Sequence, residues 1–302
     1  MEIELIADYE CDTGENPLWH PLERCLYWVD IPGGRLFRYV PASGRHEQCF
    51  QGPMPIGGFT IQADGALLLF MASGAIARWN AGQLDYFIRE VPEELGYRFN
   101  DVIADRRGRV FCGSVWLRPG ERPGGLYRLD TDGTLQRIVD GIGISNGMAF
   151  TPDGRHLYYT DSSARCIYLF DYDEQTGALT NRRLWLQTPL GAGVPDGMTV
   201  DAEGYIWSAR WDGSAMYRYT PEGVVAQRIE FPARKVSSLA FGGNDLSDIY
   251  VTTALAGGDK AQEGQGAGAL FRLRLGIRGR PEHCSQVMLT SAHHSVGDSA
   301  RA

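Results

Sequence analysis

The sequence lacks the features of a membrane-spanning or exported protein. Its 302 residues contain no uninterrupted apolar run approaching the roughly 18 to 20 residues of a membrane helix. The first residues, MEIELIADYECDTGENP, carry acids where a signal peptide needs a basic stretch followed by an apolar one. We therefore expect a soluble, cytoplasmic protein with no membrane partner.

Cysteine and concentrated positive charge are also scarce. The six cysteines are scattered without any Cys-x-x-Cys pair, so reduced and mostly buried thiols are expected rather than a disulfide framework. The formal net charge is -8, and the arginines are dispersed instead of forming a stripe, which argues against a nucleic-acid partner. No Gly-x-Ser-x-Gly motif is present, so nothing supports a serine hydrolase.

A unit made of a turn and a strand recurs six times along the chain. Each copy joins a polar turn to a short β-branched or aromatic run, as in PDGRHLYYTD and AEGYIWSARW. A period of about 40 to 50 residues, with strands throughout and no clear amphipathic helix, is typical of a β-propeller. We predict an all-β fold, a six-bladed β-propeller with four-stranded antiparallel blades. The equivalent apolar positions, 41 to 49 residues apart, are Tyr27, Leu68, Phe111, Tyr158, Trp207 and Tyr250.

No linker or shift in composition divides these repeats, so we expect a single domain over residues 1–287. The N-terminal segment IELIADY has no blade of its own. It is predicted to pair with the last blade and to close the ring. Residues 288–302 are small and polar, and they are predicted to be disordered.

Polar residues recur where the first strand of each blade begins. The innermost strands of a propeller line its central channel, so equivalent positions in different blades converge at one end of the axis. Hard oxygen donors with a total charge of -2 suit one divalent cation, Ca²⁺ first, then Mg²⁺ or Mn²⁺, with Zn²⁺ less natural. Four of the six positions in this register, Gly57 and Ser238 being the others, carry such oxygens: Glu15, Asn100, Asn146 and Asp196.

The alternative interpretation of these residues is turn formation, because Asp and Asn before Gly are common turn formers. Turn formation does not require the same register in four blades, and the shared register therefore favours ligands. The Asp-Gly pairs in ADGA, TDGT and TPDGR lie on turns between strands and receive no chemical role. None of the six histidines falls in this register.

The series of motifs GENPLW, RFND, ISNGMAF, PDGMTVDAEG, FGG and IYVTTA resembles the gluconolactonase family that includes regucalcin, also called senescence marker protein. The resemblance covers nearly the whole chain. It implies one divalent metal ion held by Glu15, Asn146 and Asp196, with Asp196 also acting as the catalytic base. It further implies that Arg98 and Asn100 bind the sugar. The chemistry of such a site leads to the hypothesis that the protein hydrolyses a sugar lactone, its expected small-molecule partner, to the aldonic acid. We expect a monomer or a weak homo-oligomer.

The loop around residues 114–124 departs from the family pattern. Where regucalcin has an acid that helps to bind sugar, this chain has Leu117 or Arg118, with Glu121 further along the loop. We therefore add Arg118 and Glu121 to the candidate substrate-binding residues. Four arginines are expected near the mouth of the channel: Arg98, Arg118, Arg122 and Arg210. They could favour a substrate that carries a carboxylate or sulfonate. The alternative is that they are simply solvated, as loop arginines commonly are.

Two alternative functions remain open on the same scaffold. A polarising cation serves a phosphoryl oxygen as well as a carbonyl, so a metal-dependent phosphotriesterase or another esterase is the first. The second is a non-catalytic, calcium-binding regulatory propeller, because a fold does not establish a function. A simple scaffold needs no cluster of carboxylates and amides at the channel mouth, and this cluster favours a hydrolase.

Overall fold

The computed structural model describes residues 2–118 and 121–288, and this part of the chain forms six four-stranded antiparallel sheets. The first blade contains β2 (Gly14–His20), β3 (Cys25–Asp30), β4 (Arg35–Val40) and β5 (Arg45–Gln51). The second contains β6 (Ile56–Ile61), β7 (Leu67–Met71), β8 (Ile76–Asn80) and β9 (Gln83–Ile88). The third contains β10 (Tyr97–Ala104), β11 (Val110–Trp116), β12 (Gly124–Leu129) and β13 (Leu135–Ile142).

The remaining three blades repeat the same order of strands. The fourth contains β14 (Ser145–Phe150), β15 (His156–Asp161), β16 (Cys166–Tyr172) and β17 (Leu179–Gln187). The fifth contains β18 (Val194–Val200), β19 (Ile206–Trp211), β20 (Ala215–Tyr219) and β21 (Val225–Glu230). The sixth contains β22 (Lys235–Gly242), β23 (Asp248–Ala254), β24 (Ala269–Arg274) and the N-terminal β1 (Ile3–Asp8). Two short helices, Pro92–Glu94 and Lys260–Glu263, lie in connections. The predicted six-bladed β-propeller is confirmed.

The two ends of the ring are joined within the sixth blade. Strand β1 pairs with β24 in antiparallel register, with Ile3 opposite Leu273 and Asp8 opposite Ala269. The predicted pairing of the N-terminal segment with the last blade is therefore confirmed. Because this strand comes from the opposite end of the chain, the first and last parts of the sequence hold one sheet together. The predicted disordered tail, apart from Met288, lies outside the described residues.

The first strands of the six blades surround the axis, and each contacts the first strand of the next blade. The six repeated apolar residues found in the sequence are all buried in the layers between blades. Trp207 packs with Phe241 of the next blade, and Tyr27 packs with Phe59 in the same way. The 41- to 49-residue period thus reflects one packing position used in every blade.

Glycine allows the first strands to approach one another closely near the axis. A Cβ atom added to Gly57 would lie 1.9 Å from the carbonyl oxygen of Phe99 on the next blade. A Cβ atom on Gly147 would lie 2.5 Å from the backbone oxygen of Asp196. Both neighbours are backbone atoms that cannot rotate away, so only glycine fits at these positions.

Replacing Gly57 with Ala is expected to lower the free energy of unfolding by about 1 to 3 kcal/mol, because the new methyl group overpacks two backbones. Gly52→Ala is the matched control, since the nearest atom to its Cβ is the flexible Ile56 Cδ1 at 3.1 Å. That change should cost less than about 1 kcal/mol. Urea unfolding of both variants measures the difference, and equal losses would contradict the close approach at Gly57.

The end of the channel opposite the start of the first strands is crossed by the C-terminal strap, residues 278–288. Its backbone pairs at Gly279 with Asp201 of the fifth blade and at Ser285 with Gln62 of the second. The amide of Met288 donates to the carbonyl oxygen of Thr131 at 2.8 Å. The strap therefore links several blades beneath the channel.

Within the described residues, no helix combines the length and apolar character needed to cross a bilayer.

Candidate active site

A cavity of about 610 Å³ opens at the end of the channel where the first strands begin. Its lining includes five of the seven predicted site residues: Glu15, Arg98, Asn100, Asn146 and Asp196. They come from the first, third, fourth and fifth blades, so residues that lie up to 181 positions apart in the sequence meet around one axis. Arg118 and Glu121 are not part of the lining described for this cavity.

A β-bulge marks the position of the polar residue in each contributing strand. The pairing register shifts between Glu15 and Leu18, and between Phe99 and Val102. It also shifts just after Asn146 in β14 and between Pro195 and Met198 in β18. A regular strand alternates its side chains strictly between two faces, whereas a bulge redirects one of them. The bulges thus place the oxygen-bearing side chains at the axis while the rest of each strand keeps its apolar packing.

The oxygen donors of the site are buried. Glu15, Asn100, Asn146 and Asp196 each expose 6% or less of their surface. Burial, followed by repulsion from Asp101, raises the pKa of the Glu15 carboxyl well above its usual range. Burial, followed by repulsion from Glu15, does the same to the pKa of Asp196. Both carboxyl groups therefore lack enough positive charge to stabilise their ionised forms.

Arg98 is the cation that faces these acids. Burial lowers the pKa of its guanidinium to about 10, and the negative charges of Glu15, Asp101 and Asp196 oppose that shift. One guanidinium does not balance three carboxylates. The side-chain Oδ1 of Asp101 has no hydrogen-bond partner among the described residues. The site is therefore short of positive charge when considered with protein groups alone.

This donor set fits a divalent cation. Glu15, Asn146 and Asp196 supply only oxygen, the donor that Ca²⁺, Mg²⁺ and Mn²⁺ prefer, and a double positive charge would offset the repulsion among the acids. In the part of the chain that the structure describes, no group of three or more His, Cys, Asp or Glu side chains forms a metal site on its own. A cation held here would thus depend on the amide oxygen of Asn146 as well as on the two carboxylates.

Sequence reasoning missed Asp101. It follows Asn100 directly, is buried, and lines the narrow channel below the cavity together with Met148 and Met198. Burial raises its pKa to about 7. The available signal was a second acid in RFND, one residue outside the shared register. In a regular strand that residue would face away from Asn100, but both lie in the stretch of β10 where the register shifts.

The amide side chains of the site are joined in a chain of hydrogen bonds. A guanidinium N–H of Arg98 donates to Asn100 Oδ1, and Asn100 Nδ2 donates to Asn146 Oδ1 at 2.8 Å. Asn146 Nδ2 then donates to the hydroxyl of Ser162 at 2.9 Å, and that hydroxyl donates to the carbonyl oxygen of Pro195 at 2.6 Å. The chain connects the third, fourth and fifth blades across the cavity wall.

The remaining wall of the cavity is largely apolar. Asp12 and Thr13 add polar groups to it, and its apolar side chains are Ile31, Val115, Ile144, Val194, Trp211 and Ala256. Such a surface suits the apolar face of a small organic ligand, whereas the acids and amides opposite it suit the ligand's polar groups.

The loop residues lie elsewhere. Arg118 and Glu121 are mostly exposed, and their charged atoms are 4.0 Å apart. Glu121 accepts a hydrogen bond from the Trp116 indole at 3.2 Å, and the guanidinium of Arg122 lies 4.8 Å above the same ring. The prediction that Arg210 contributes to a basic rim is wrong. Arg210 is fully buried in the fifth blade, where its guanidinium donates to the Tyr219 hydroxyl at 2.6 Å and lies over the rings of Tyr217 and Tyr219.

The fold and the site together define a class of protein, a six-bladed propeller with a carboxylate and amide site at one mouth of its channel. Residues 13–255 match the family described as the SMP-30/gluconolactonase/LRE-like region, and the chain belongs to this family.

Relatives of known name align along nearly the full chain. Pentonolactonase XacC of Haloferax volcanii is 47% identical over 96% of this chain and 100% of its own length. A 6-deoxy-6-sulfogluconolactonase of Pseudomonas putida is 34% identical over 89% of this chain and 93% of its own. The crystal structure of a calcium-binding protein, regucalcin, from Agrobacterium tumefaciens superposes with a TM-score of 0.88 at 26% identity, covering 95% of this chain and 98% of that one.

Proposed function

We propose that this protein hydrolyses a sugar lactone to its aldonic acid with the help of one divalent cation held by Glu15, Asn146 and Asp196. The observation that carries the proposal is the convergence of these three buried oxygen donors in one cavity beside Arg98. Two relatives that align along most of the chain are named as sugar lactonases, and a solved structural relative is described as calcium-binding. Ca²⁺ is the first candidate ion, with Mg²⁺, Mn²⁺ and Zn²⁺ as alternatives.

The residues of the cavity divide the work of hydrolysis. When bound, the cation would polarise the lactone carbonyl and make a nearby water more acidic. Asp196 takes a proton from the water as its oxygen bonds to the carbonyl carbon. The ring C–O bond then breaks, and the leaving ring oxygen receives that proton to become a hydroxyl group. Burial raises the pKa of the Asp196 carboxyl, and a bound cation would favour its ionised form, the form that can accept the proton.

Arg98 and Asn100 would hold the sugar. One nitrogen of the Arg98 guanidinium is bonded to the Phe99 carbonyl and to Asn100 Oδ1, which fixes the plane of the group. The other nitrogens keep their N–H donors for the hydroxyl groups of a substrate. Asn100 Oδ1 has a second lone pair in addition to the one that Arg98 uses. Arg118 and Glu121 would add contacts only from the rim.

The charge distribution favours an uncharged aldonolactone over one with an anionic substituent. Arg98 already faces three acids, Arg118 lies beside Glu121, and Arg122 lies over Trp116. Among the described residues, Arg98 is the one arginine in the lining of the cavity. The arginines near the cavity therefore already interact with acids or with an aromatic ring. A carboxylate or sulfonate on the substrate would have only the bound cation to offset its charge.

A panel of aldonolactones tests the proposal by proton release at constant pH, with and without a chelator. We expect turnover of neutral pentono- and hexonolactones in the presence of Ca²⁺, above the spontaneous rate of ring opening. A phosphotriester and a simple aryl ester serve as comparison substrates. If no lactone is hydrolysed above the spontaneous rate in the presence of the cation, and Ca²⁺ nevertheless binds, the protein would instead be a regulatory binding protein.

Matched substrates test the preference for uncharged sugars. We expect kcat/KM for an aldonolactone to exceed that for its uronate or 6-sulfonate analogue by about 10-fold or more, since two like charges about 4 Å apart near a protein surface repel by about 4 kcal/mol and about 1.4 kcal/mol already corresponds to tenfold. The comparison is made at two salt concentrations, because screening should narrow the difference. Equal specificity constants would contradict the charge argument. A preference for the anionic substrate would instead indicate that Arg98 or Arg118 binds its carboxylate or sulfonate.

A further inference from the structure

The hydrogen-bond chain across the cavity has a fixed direction. It begins at the guanidinium of Arg98, which can only donate, and it ends at the carbonyl oxygen of Pro195, which can only accept. Each group between them must therefore accept from one side and donate to the other. This requirement determines which way the amides of Asn100 and Asn146 face.

Ser162 fixes the direction of the hydrogen bonds next to Asn146. Its hydroxyl proton is committed to the Pro195 carbonyl at 2.6 Å, so its lone pairs face Asn146 Nδ2 at 2.9 Å. If the Asn146 amide rotated by 180°, its Nδ2 would face Asn100 Nδ2, donor against donor. Its Oδ1 would then face a hydroxyl whose proton points elsewhere. Both neighbours thus favour the same orientation.

The backbone holds Ser162 firmly in this position. Ser162 follows β15 directly and is buried, with 6% of its surface exposed. Its amide donates to the Ile144 carbonyl at 3.0 Å, and its own carbonyl accepts from Arg165 at 3.0 Å. Because both its backbone N–H and its carbonyl are hydrogen-bonded, Ser162 can orient a neighbouring side chain more precisely than a mobile loop residue could.

We propose that Ser162 is a positioning residue that keeps the amide oxygen of Asn146 directed at the cation site. The inference rests on the proposed function, because it concerns the cation that Asn146 would help to hold. An amide oxygen has two lone pairs. One accepts from Asn100, and the other remains for the cation. Loss of the Ser162 hydroxyl leaves Asn146 Nδ2 buried without an acceptor and removes one of the two contacts that select this orientation.

Calorimetric titration with Ca²⁺, and separately with Mn²⁺, in the absence of any lactone tests the inference. Ser162→Ala should raise the Kd for each ion by about 10-fold or more, since groups that orient metal ligands typically contribute 10- to 100-fold to affinity. Ser162→Thr keeps the hydroxyl and should remain within about 3-fold of the parent protein. If Ser162→Ala does not fold, Ser162→Cys keeps the size with a weaker acceptor and should show a smaller rise in Kd.

Two other serines provide matched controls. Ser163→Ala changes the next residue, which is exposed, and it should leave the Kd unchanged. Ser285→Ala removes a buried hydroxyl at the opposite end of the channel, where Ser285 contacts Thr60 at 2.8 Å. That variant should lower the Tm without changing the Kd. A rise in Kd with either control would mean that general loss of packing, not orientation of Asn146, weakens binding.

A double-mutant cycle separates orientation from other effects. In the background of Asn146→Ala there is no amide to orient, so adding Ser162→Ala should change the Kd by less than about 2-fold. A folded Ser162→Ala protein that binds both ions as tightly as the parent would overturn the inference alone. A parent protein that neither binds these ions nor hydrolyses lactones would overturn the proposed function and this inference together.

Discussion

Replacing Asp196 with Asn is expected to lower kcat for lactone hydrolysis by about 10³-fold while the propeller stays folded. The amide keeps the shape of the side chain and one oxygen donor, but it cannot accept the proton of the attacking water. Proton transfer by a positioned side chain contributes about 10² to 10⁴ in rate. Asn146 occupies the equivalent bulged position of the fourth blade, which supports the expectation that an asparagine fits at position 196.

Asp132→Asn is the matched control for this prediction. Asp132 also precedes a glycine, but it is exposed on a turn between strands and accepts from the Thr134 amide at 2.9 Å. Its replacement should leave kcat within about 2-fold of the parent value, because it has no contact with the cavity. Circular dichroism and thermal unfolding establish folding in both variants, and initial rates with a neutral aldonolactone give kcat and KM. Near-normal turnover in Asp196→Asn would remove Asp196 from the role of base.

Removal of divalent ions is expected to abolish catalysis and to lower the Tm by several degrees. Without a cation, the buried carboxyl groups of Glu15, Asp101 and Asp196 repel one another, and the charge of Arg98, with that of Arg210 at Asp196, offsets this repulsion only in part. A ligand present at 100 times its Kd stabilises the folded state by about 2.7 kcal/mol. For a chain of this size, each 1 kcal/mol corresponds to a shift in Tm of about 1.5 to 2 °C.

The measurement compares chelated protein with protein resupplied with Ca²⁺, Mg²⁺, Mn²⁺ or Zn²⁺, one ion at a time. Activity and Tm should recover together with the ion that the site prefers. Glu15→Gln removes one anionic ligand and should greatly reduce the rise in Tm, whereas Asp132→Asn should show the full rise. Full activity after exhaustive chelation, with no ion changing the Tm, would contradict a metal-dependent mechanism.

Several features of the fold could be predicted because they correspond to periodic patterns in the amino-acid sequence. The spacing of the apolar residues from Tyr27 to Tyr250 predicts six blades, since each residue fills the same layer between neighbouring blades. The surplus N-terminal strand predicts the closure of the ring. The convergence of Glu15, Asn146 and Asp196 follows from symmetry, which turns an equal register in the sequence into closeness in space.

Other features could not be predicted because they depend on contacts between distant segments. The packing of Arg210 against Tyr217 and Tyr219 removes it from the rim, although its sequence neighbours look like those of any exposed arginine. The path of the C-terminal strap depends on backbone hydrogen bonds to turns of other blades. Neither feature repeats, so no periodicity reveals it.

The number of blades, the closure of the ring and the axial positions of the oxygen-bearing residues follow from the amino-acid sequence alone, because a repeated hydrophobic pattern has one way to bury its surface as a ring. The direction of their side chains and their hydrogen-bond partners, in contrast, depend on tertiary contacts. The bulge in β10 brings Asp101 into the channel beside Asn100. The contact of Ser162 with Pro195 decides which atom of Asn146 faces Asn100. Side-chain direction and hydrogen-bond polarity are set by neighbouring blades, and the residues of one blade do not encode them.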